Sequence, residues 1–342
     1  MQLRVCYHRA TGCTVPGPIM VVYSFSRGCV GHRITQAIAN AGARILLFSA
    51  VSFAAHFAGG QPATVSSYQD PADVVRKAVQ NEIRAASDDS VHFMFRGTKS
   101  TPQGSTTRLY VETKEATAGL VVAYNGKPLT AQQRREEEAR VGRFVQHPEE
   151  LSKKREQERQ YTERSLRITR ALPDAFLFEY AGEEPGSEGI GRAGSPLVKL
   201  KFRPNPRYQP PSRVEEVLTG MEGYLLVDAT NYRLASIDGT LVKEVGFGWG
   251  ILGHLDRGGR FVVQQEEVGD NLWEISSMTL NITGKVLLFK SLSYNSTETF
   301  SGFKQVRSDL TFAQALELLK KEESTVAAEA ADNSARGQPA HP

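Results

Sequence analysis

The sequence predicts a mainly β protein of the α+β class, in which a curved antiparallel sheet of about ten to eleven strands forms an unclosed barrel. Three observations support this prediction. Apolar and polar residues alternate in many short segments after position 90, as around Leu109 and Val111. Turn residues such as Asn125-Gly126 separate these segments, which is typical of antiparallel hairpins. One amphipathic helix precedes the strands and another follows them, so we expect helices to cover the sheet at both ends.

The first 58 residues differ in composition from the rest of the chain. They contain five arginines and no Asp or Glu, and they end in an apolar run at 45–58 that follows Arg44. This pattern is typical of a secretory signal peptide, although a buried core helix is the alternative. We therefore expect 1–58 to be a leader, cleaved near 54–60, and the mature protein to be periplasmic. The formal net charge of +3 arises in this leader and does not indicate a nucleic-acid-binding surface.

The mature chain is predicted to form one half-barrel domain at 68–322, followed by a disordered tail at 323–342. Asp70 and Pro71 form a typical helix start, and Thr311 with Gln314 fits a capping box at the start of a closing helix. After the middle of the chain, the predicted strands lie at 175–180, 198–203, 222–228, 231–237, 240–247, 259–267, 272–282 and 286–295. Within 272–282 the apolar positions change phase between Ile275 and Met278, which predicts a β-bulge.

Residues 131–165 interrupt the strand pattern. The segment is dense in charged residues of both signs, as in RREEEAR and KKREQER, and shows almost no apolar stripe. High helix propensity and many i,i+4 pairs predict two helices divided at Pro148. We expect a charged helical insertion that is solvated and does not dock on the core, and that offers a possible surface for an envelope protein partner.

No motif in the mature chain predicts a metal, a cofactor or a catalytic group. Its histidines, His92, His147, His254 and His341, do not have the spacing of a zinc site. Two G-x-G-x-x-G matches, beginning at Gly189 and Gly248, lack the strand–turn–helix context of a nucleotide site. Carboxylates distant in sequence could still meet in the fold, so an unrecognised hydrolase remains a third hypothesis.

Four glycines alternate with large apolar residues in Val245–His254. Glycine within a strand often marks a bend, a bulge or the close approach of a ligand. The segment is therefore either a barrel corner whose aromatic side chains fill the core or the mouth of a lipid-sized cavity. Under the second interpretation, the candidate cavity-lining residues of the chain are Phe178, Phe247, Trp249, Leu252 and Trp273.

The order of leader, helix, antiparallel strands and closing helix resembles the periplasmic lipoprotein-carrier superfamily, which includes the outer-membrane lipoprotein-sorting chaperone and its receptor. The local sequences that carry the resemblance are Phe176–Tyr180, Met221–Asp228 and Leu241–Trp249. It implies an unclosed barrel whose apolar concave face holds acyl chains. The charged insertion is not part of the basic carrier pattern, and no functional residue can be transferred by position.

These observations lead to one functional hypothesis and one main alternative. The first is a non-enzymatic periplasmic protein that binds a lipid or a lipoprotein acyl chain, with no cofactor and no transmembrane span in the mature chain. The alternative is an envelope sensor or interaction scaffold that uses the barrel without a lipid.

Overall fold

The computed structural model describes residues 70–247, 253–286 and 290–336. Within these ranges, α-helices occur at α1 (Pro71–Ala86), α2 (Ala131–Gln146), α3 (Pro148–Ala175) and α4 (Phe312–Arg336), with a 3₁₀ helix at Glu215–Gly220. The strands are β1 (His92–Thr101), β2 (Gly104–Val111), β3 (Ala118–Tyr124), β4 (Lys127–Pro128), β5 (Phe176–Pro185), β6 (Pro196–Pro204), β7 (Met221–Asp228), β8 (Leu234–Leu241), β9 (Val245–Phe247), β10 (Gly253–Leu255), β11 (Arg260–Gly269), β12 (Leu272–Val286) and β13 (Lys290–Val306).

All strands belong to one antiparallel sheet, in the order β4-β3-β2-β1-β13-β12-β11-β8-β7-β6-β5, with β10 and β9 attached beside β12. Within the described chain, β4 and β5 do not pair with each other, so the sheet is an unclosed barrel and the predicted fold class is confirmed. The described residues form thirteen strands instead of about ten to eleven, and the sequence analysis missed β4 and β10, which contain only two and three residues. Strands that short show no alternation in the sequence.

The main core lies between α1 and the strands β5 to β8. Asp70 caps α1 by accepting a hydrogen bond from the N–H of Ala72, as the sequence predicts. The apolar stripe of α1 is buried, with Val75 and Ala78 fully inaccessible, and it packs against residues such as Leu200 and Leu225. This burial fixes α1 on the sheet.

A second core lies beneath α4. The predicted capping box is present, since the N–H of Thr311 donates to the Gln314 side chain and the N–H of Gln314 donates to the Thr311 hydroxyl. Phe312 and Leu319 then pack with apolar side chains of β1 to β3. The helix continues to Arg336, beyond the position 323 at which the sequence predicts a disordered tail, and 337–342 lie outside the described residues.

The phase change predicted in β12 is a β-bulge at Ser276. The partners of Gln264 and Gln265 on β11 are Ser277 and Ile275, so Ser276 has no partner residue opposite it. The predicted strand 231–237, in contrast, begins only at Leu234. Asp228 accepts hydrogen bonds from the N–H groups of Thr230 and Asn231, and this side chain forms a turn where strand was expected.

The charged insertion forms two helices divided at Pro148, but the expectation that it stays clear of the fold is wrong. Val141 of α2 is 1% exposed and packs in the core beneath α4. The carboxylate of Glu137 accepts a hydrogen bond from the N–H of Val121 at 2.7 Å, and Arg140 donates to the carbonyl of Gly119 at 3.2 Å. Charged side chains of α2 therefore satisfy the backbone groups at the outer edge of β3.

Helix α3 also differs from the prediction. It continues to Ala175, ten residues past the expected end of the insertion at 165, and its last turns enter the main core through Leu172 and Ala175. Nearer its start, the carboxylate of Glu158 accepts a hydrogen bond from the N–H of Thr117 at 3.0 Å. Both helices of the insertion are thus attached to the sheet. No helix among the described residues has the length and hydropathy needed to span a membrane.

Candidate functional site

A recess lies where α1 begins, α3 ends and β5 runs along the edge of the sheet, and it is the larger of the two described below. It has a volume of about 510 Å³ and is open to solvent. Its lining residues are Asp70, Ala72, Pro173, Asp174, Phe176, Leu177, Phe178, Glu179, Arg203, Asn205, Arg207, Tyr208 and Gln209. The volume is in the usual range for a small-molecule site, about 300–1,000 Å³.

Proline-rich backbone fixes one wall of this recess. The connection after β6 contains Pro206, Pro210 and Pro211, which restrict the backbone to a few conformations. Asn205 joins this connection to the end of α3, because its side-chain amide donates to the carbonyl of Asp174 at 2.8 Å. Tyr208 is therefore held over the recess by a rigid segment.

The floor of the recess is apolar. Phe176 is buried and packs with Phe202 at a ring-centroid distance of 4.6 Å, while Phe178 lies edge-on to Phe176 at 6.3 Å. Leu177 is on the same strand and is 36% exposed, which is high for a large apolar residue. This strand thus presents apolar surface that the described chain does not cover.

The hydroxyl of Tyr208 is the unusual polar group of the recess. It is buried, and no described residue forms a hydrogen bond with it. Burial raises the pKa of this hydroxyl, and the negative charges of Glu215 and Asp174 raise it further, so it remains a neutral donor. A buried hydroxyl without a partner costs free energy, which a ligand acceptor would recover.

The rim of the recess carries both signs of charge. Arg203 and Arg207 are exposed there, beside the carboxylates of Asp174 and Glu179. The guanidinium of Arg203 lies 3.5 Å from the Glu179 carboxylate, a separation typical of a weak surface pair. The rim is therefore better suited to a neutral or zwitterionic polar group than to a strongly anionic one.

A smaller recess of about 240 Å³ lies between α3 and the strands β1, β2 and β13. One of its two cations is already paired, because the ammonium of Lys99 lies 3.0 Å from the Glu298 carboxylate and donates to the Tyr294 hydroxyl at 2.9 Å. One of its three aromatic residues is Tyr110, which fits closely against Gly97. These satisfied groups make it a weaker candidate than the larger recess.

No family model and no curated protein matches the chain. Two solved structures are similar to it. One is a domain from Vibrio parahaemolyticus described as an outer membrane lipoprotein-sorting protein, with 11% identity and a TM-score of 0.25, covering 72% of this chain and 99% of that chain. The other is a DUF1329 family protein from Desulfovibrio piger, with 11% identity and a TM-score of 0.25, covering 73% of this chain and 100% of that chain.

The first of these structures carries the description of the family that the sequence resembles. A TM-score of 0.25 is too low for either likeness to bear on function. The function therefore has to follow from the side chains of this chain.

Of the five predicted cavity-lining residues, the three that the structure describes do not line one recess. Phe178 lines the larger recess, and Phe247 packs on the main core, partly buried. Trp273 is 3% exposed and belongs to a separate small cluster, where its ring lies 5.5 Å from the guanidinium carbon of Arg233. Trp249 and Leu252 lie outside the described residues.

The sequence analysis missed two features of the fold, which are the position of Tyr208 in the larger recess and the cluster of Glu244, His254 and Asp256. Tyr208 carries no motif of its own, although the prolines around it predict a rigid connection of the kind that often supports binding residues. Glu244, His254 and Asp256 each offer one ligand atom, and these atoms lie within 4.8 Å of one another. Residues 245–253 separate Glu244 from the other two in the sequence, so the spacing matches no familiar metal motif.

Proposed function

We propose that this chain is an exported, non-enzymatic protein that binds a lipid, or the acyl chain of a lipoprotein, in the larger recess. The observation that carries the proposal is the buried Tyr208 hydroxyl, which lies without a partner in the described chain beside an apolar floor. A ligand with an apolar chain and a hydrogen-bond acceptor at one end would satisfy both features.

The apolar chain would lie along the edge strand β5, against Leu177 on one face of the strand and Phe178 on the other. Each methylene group that leaves water contributes about 0.8 kcal/mol, so affinity should increase with chain length until the recess is full. A recess of about 510 Å³ that is open to solvent accommodates part of a long chain, and the remainder would follow the exposed side of β5.

The polar end of the ligand would lie at the rim. A rotation of the Tyr208 side chain would turn its buried hydroxyl toward the recess, where it would donate to an ester carbonyl, and Arg203 and Arg207 would contact neighbouring oxygen atoms. Because Asp174 and Glu179 also lie on the rim, we expect an acyl ester or a zwitterionic headgroup to bind better than a polyanionic one.

The decisive experiment is native mass spectrometry of protein exported to the periplasm of a bacterial host, followed by lipid extraction. Delipidated protein is then titrated calorimetrically with phospholipids of increasing acyl length. Leu177→Gln places a polar group in the recess and should weaken binding at least about tenfold, the equivalent of 1.4 kcal/mol. Tyr180→Gln is the matched control, because Tyr180 is 42% exposed on the same strand and does not line the recess.

Two results would contradict lipid binding in this recess. One is delipidated protein that shows no response to chain length and co-purifies with no lipid, which would favour the envelope sensor or scaffold with a protein partner at 131–165. The other is equal weakening by the Leu177 and Tyr180 variants, which would place the ligand elsewhere on β5.

A further inference from the structure

Three side chains with metal-binding atoms converge at the base of the β9–β10 hairpin. Glu244 directly precedes β9, His254 is the middle residue of β10, and Asp256 directly follows β10. The imidazole Nε2 of His254 lies 3.3 Å from Oδ1 of Asp256 and 3.7 Å from Oε2 of Glu244. None of these residues lines the larger recess or belongs to the hydrophobic core.

The separations fit a shared ion better than direct hydrogen bonds. A Zn²⁺ ion binds imidazole nitrogen and carboxylate oxygen at about 2.0–2.2 Å, so two ligand atoms of a tetrahedral site lie about 3.3–3.6 Å apart. A charge-assisted N–H···O bond is shorter, about 2.7–2.9 Å. The observed 3.3 Å and 3.7 Å from the imidazole nitrogen are close to the first geometry, and the two carboxylate oxygens lie within 4.8 Å of each other.

The strand pairing holds His254 in position for such an ion. On one side its partner is Gly246 of β9, which has no side chain to stand beside the imidazole. On the other side its partner is Lys285 of β12, and a Cβ at the neighbouring Gly284 would lie 2.1 Å from the carbonyl oxygen of His254, so the two backbones approach closely there. The imidazole is therefore carried by paired strands, while the two carboxylates approach it from the flanking connections.

We propose that Glu244, His254 and Asp256 bind a divalent transition-metal ion of the Zn²⁺ type, with a water molecule completing the coordination. One nitrogen and two carboxylate oxygens favour such an ion over Ca²⁺ or Mg²⁺, which prefer oxygen ligands alone. The ion also offsets the repulsion between the two carboxylates. The ion would connect the residue before β9 to the residue after β10. This role would not depend on lipid binding.

The test is a calorimetric titration of the full chain with Zn²⁺, repeated with Co²⁺, whose visible absorption reports the ligand geometry. We expect the His254→Gln, Glu244→Gln and Asp256→Asn variants each to weaken the binding at least about 10- to 100-fold, because losing a ligand costs at least as much as losing a second-shell partner. Glu244 and Asp256 side chains are 63% and 44% exposed, so these two variants should fold normally.

His147→Gln is the matched control. The His147 imidazole also lies near a carboxylate, 3.3 Å from Glu149, but no second carboxylate is grouped with it in the described chain. Zn²⁺ bound at other groups of the chain would appear equally in the wild type and in the Glu244, His254 and Asp256 variants. The proposal is overturned if Zn²⁺ affinity is the same in the wild type and the His254→Gln variant, or if His147→Gln removes the same binding step.

Discussion

Glu82 on α1 and Arg233 on the turn before β8 form a buried ion pair inside the half-barrel. The Arg233 guanidinium donates to both oxygens of the Glu82 carboxylate, at 2.7 and 3.0 Å, and the same carboxylate accepts the N–H of Leu234. The side chains are only 2% and 9% exposed, respectively. The pair therefore specifies where the helix lies on the sheet.

Removing one member of this pair should strongly destabilise the fold. Glu82→Ala leaves a buried guanidinium without its carboxylate and should lower the free energy of unfolding by about 3–5 kcal/mol in urea denaturation. Replacing both residues, as in Glu82→Leu with Arg233→Met, should recover much of this loss, because apolar side chains can take the place of a buried pair. Unchanged stability of Glu82→Ala would show that the pair does not hold α1.

The carboxylate of Glu137 should make stability depend on pH. Burial raises the pKa of Glu137, but hydrogen bonds from Arg140 and Val121 together lower it further, so the pKa lies below the ordinary value of 4.5. A lowered folded-state pKa contributes stability that is fully present above the ordinary value and is lost as the pH falls through the folded-state pKa.

Denaturation of wild-type and Glu137→Gln proteins across this pH range tests the prediction. The variant should be less stable at neutral pH by about 1–3 kcal/mol, and the difference should shrink on acidification. Glu138→Gln is the control, because Glu138 is exposed on the next position of α2. A constant difference across the pH range would indicate that the titrating carboxylate is not Glu137.

Tyr208→Phe should change stability and ligand affinity in opposite directions. Removing a buried hydroxyl that has no partner in the described chain should raise the free energy of unfolding of the ligand-free protein by about 1 kcal/mol. The same change should weaken binding of an acyl ester about tenfold, since it removes the donor. Thermal denaturation and calorimetry measure the two effects, and a variant that loses both stability and affinity would point to a packing role instead.

The leader should be absent from exported protein. The composition of 1–58 predicts cleavage after the apolar run, so N-terminal sequencing of the periplasmic fraction should begin between about 55 and 62. Exported protein that retains Met1 would rule out a cleaved signal peptide at this position.

The sequence predicted correctly those features that depend on residues close together along the chain. Asp70 and Thr311 mark helix starts, and the phase change around Ser276 marks a bulge, because each feature depends on residues within a few positions. The attachment of α2 could not be predicted in this way. Glu137 and Arg140 contact the edge of β3 through charges, and charged residues on a helix otherwise indicate solvent.

The candidate site depends even more than the attachment of α2 on contacts between residues that are distant in the sequence. Phe178 was identified from its strand, but Tyr208 becomes notable only because the connection after β6 returns beside the end of α3. Likewise, His254 comes close to Glu244 only because β9 pairs with β10. Hydrophobic periodicity does not predict such contacts between distant residues, since it shows only which face of a helix or strand is buried.

The open end of the sheet at β5 has a consequence for self-association. An exposed edge strand is a template for another chain, and the opposite side is already covered where α2 binds the backbone of β3. Along β5, Glu179 and Glu183 are exposed and Pro185 lacks an N–H donor. Two copies meeting along β5 would bring like charges together, so one edge resists intermolecular strand pairing by coverage and the other by repulsion.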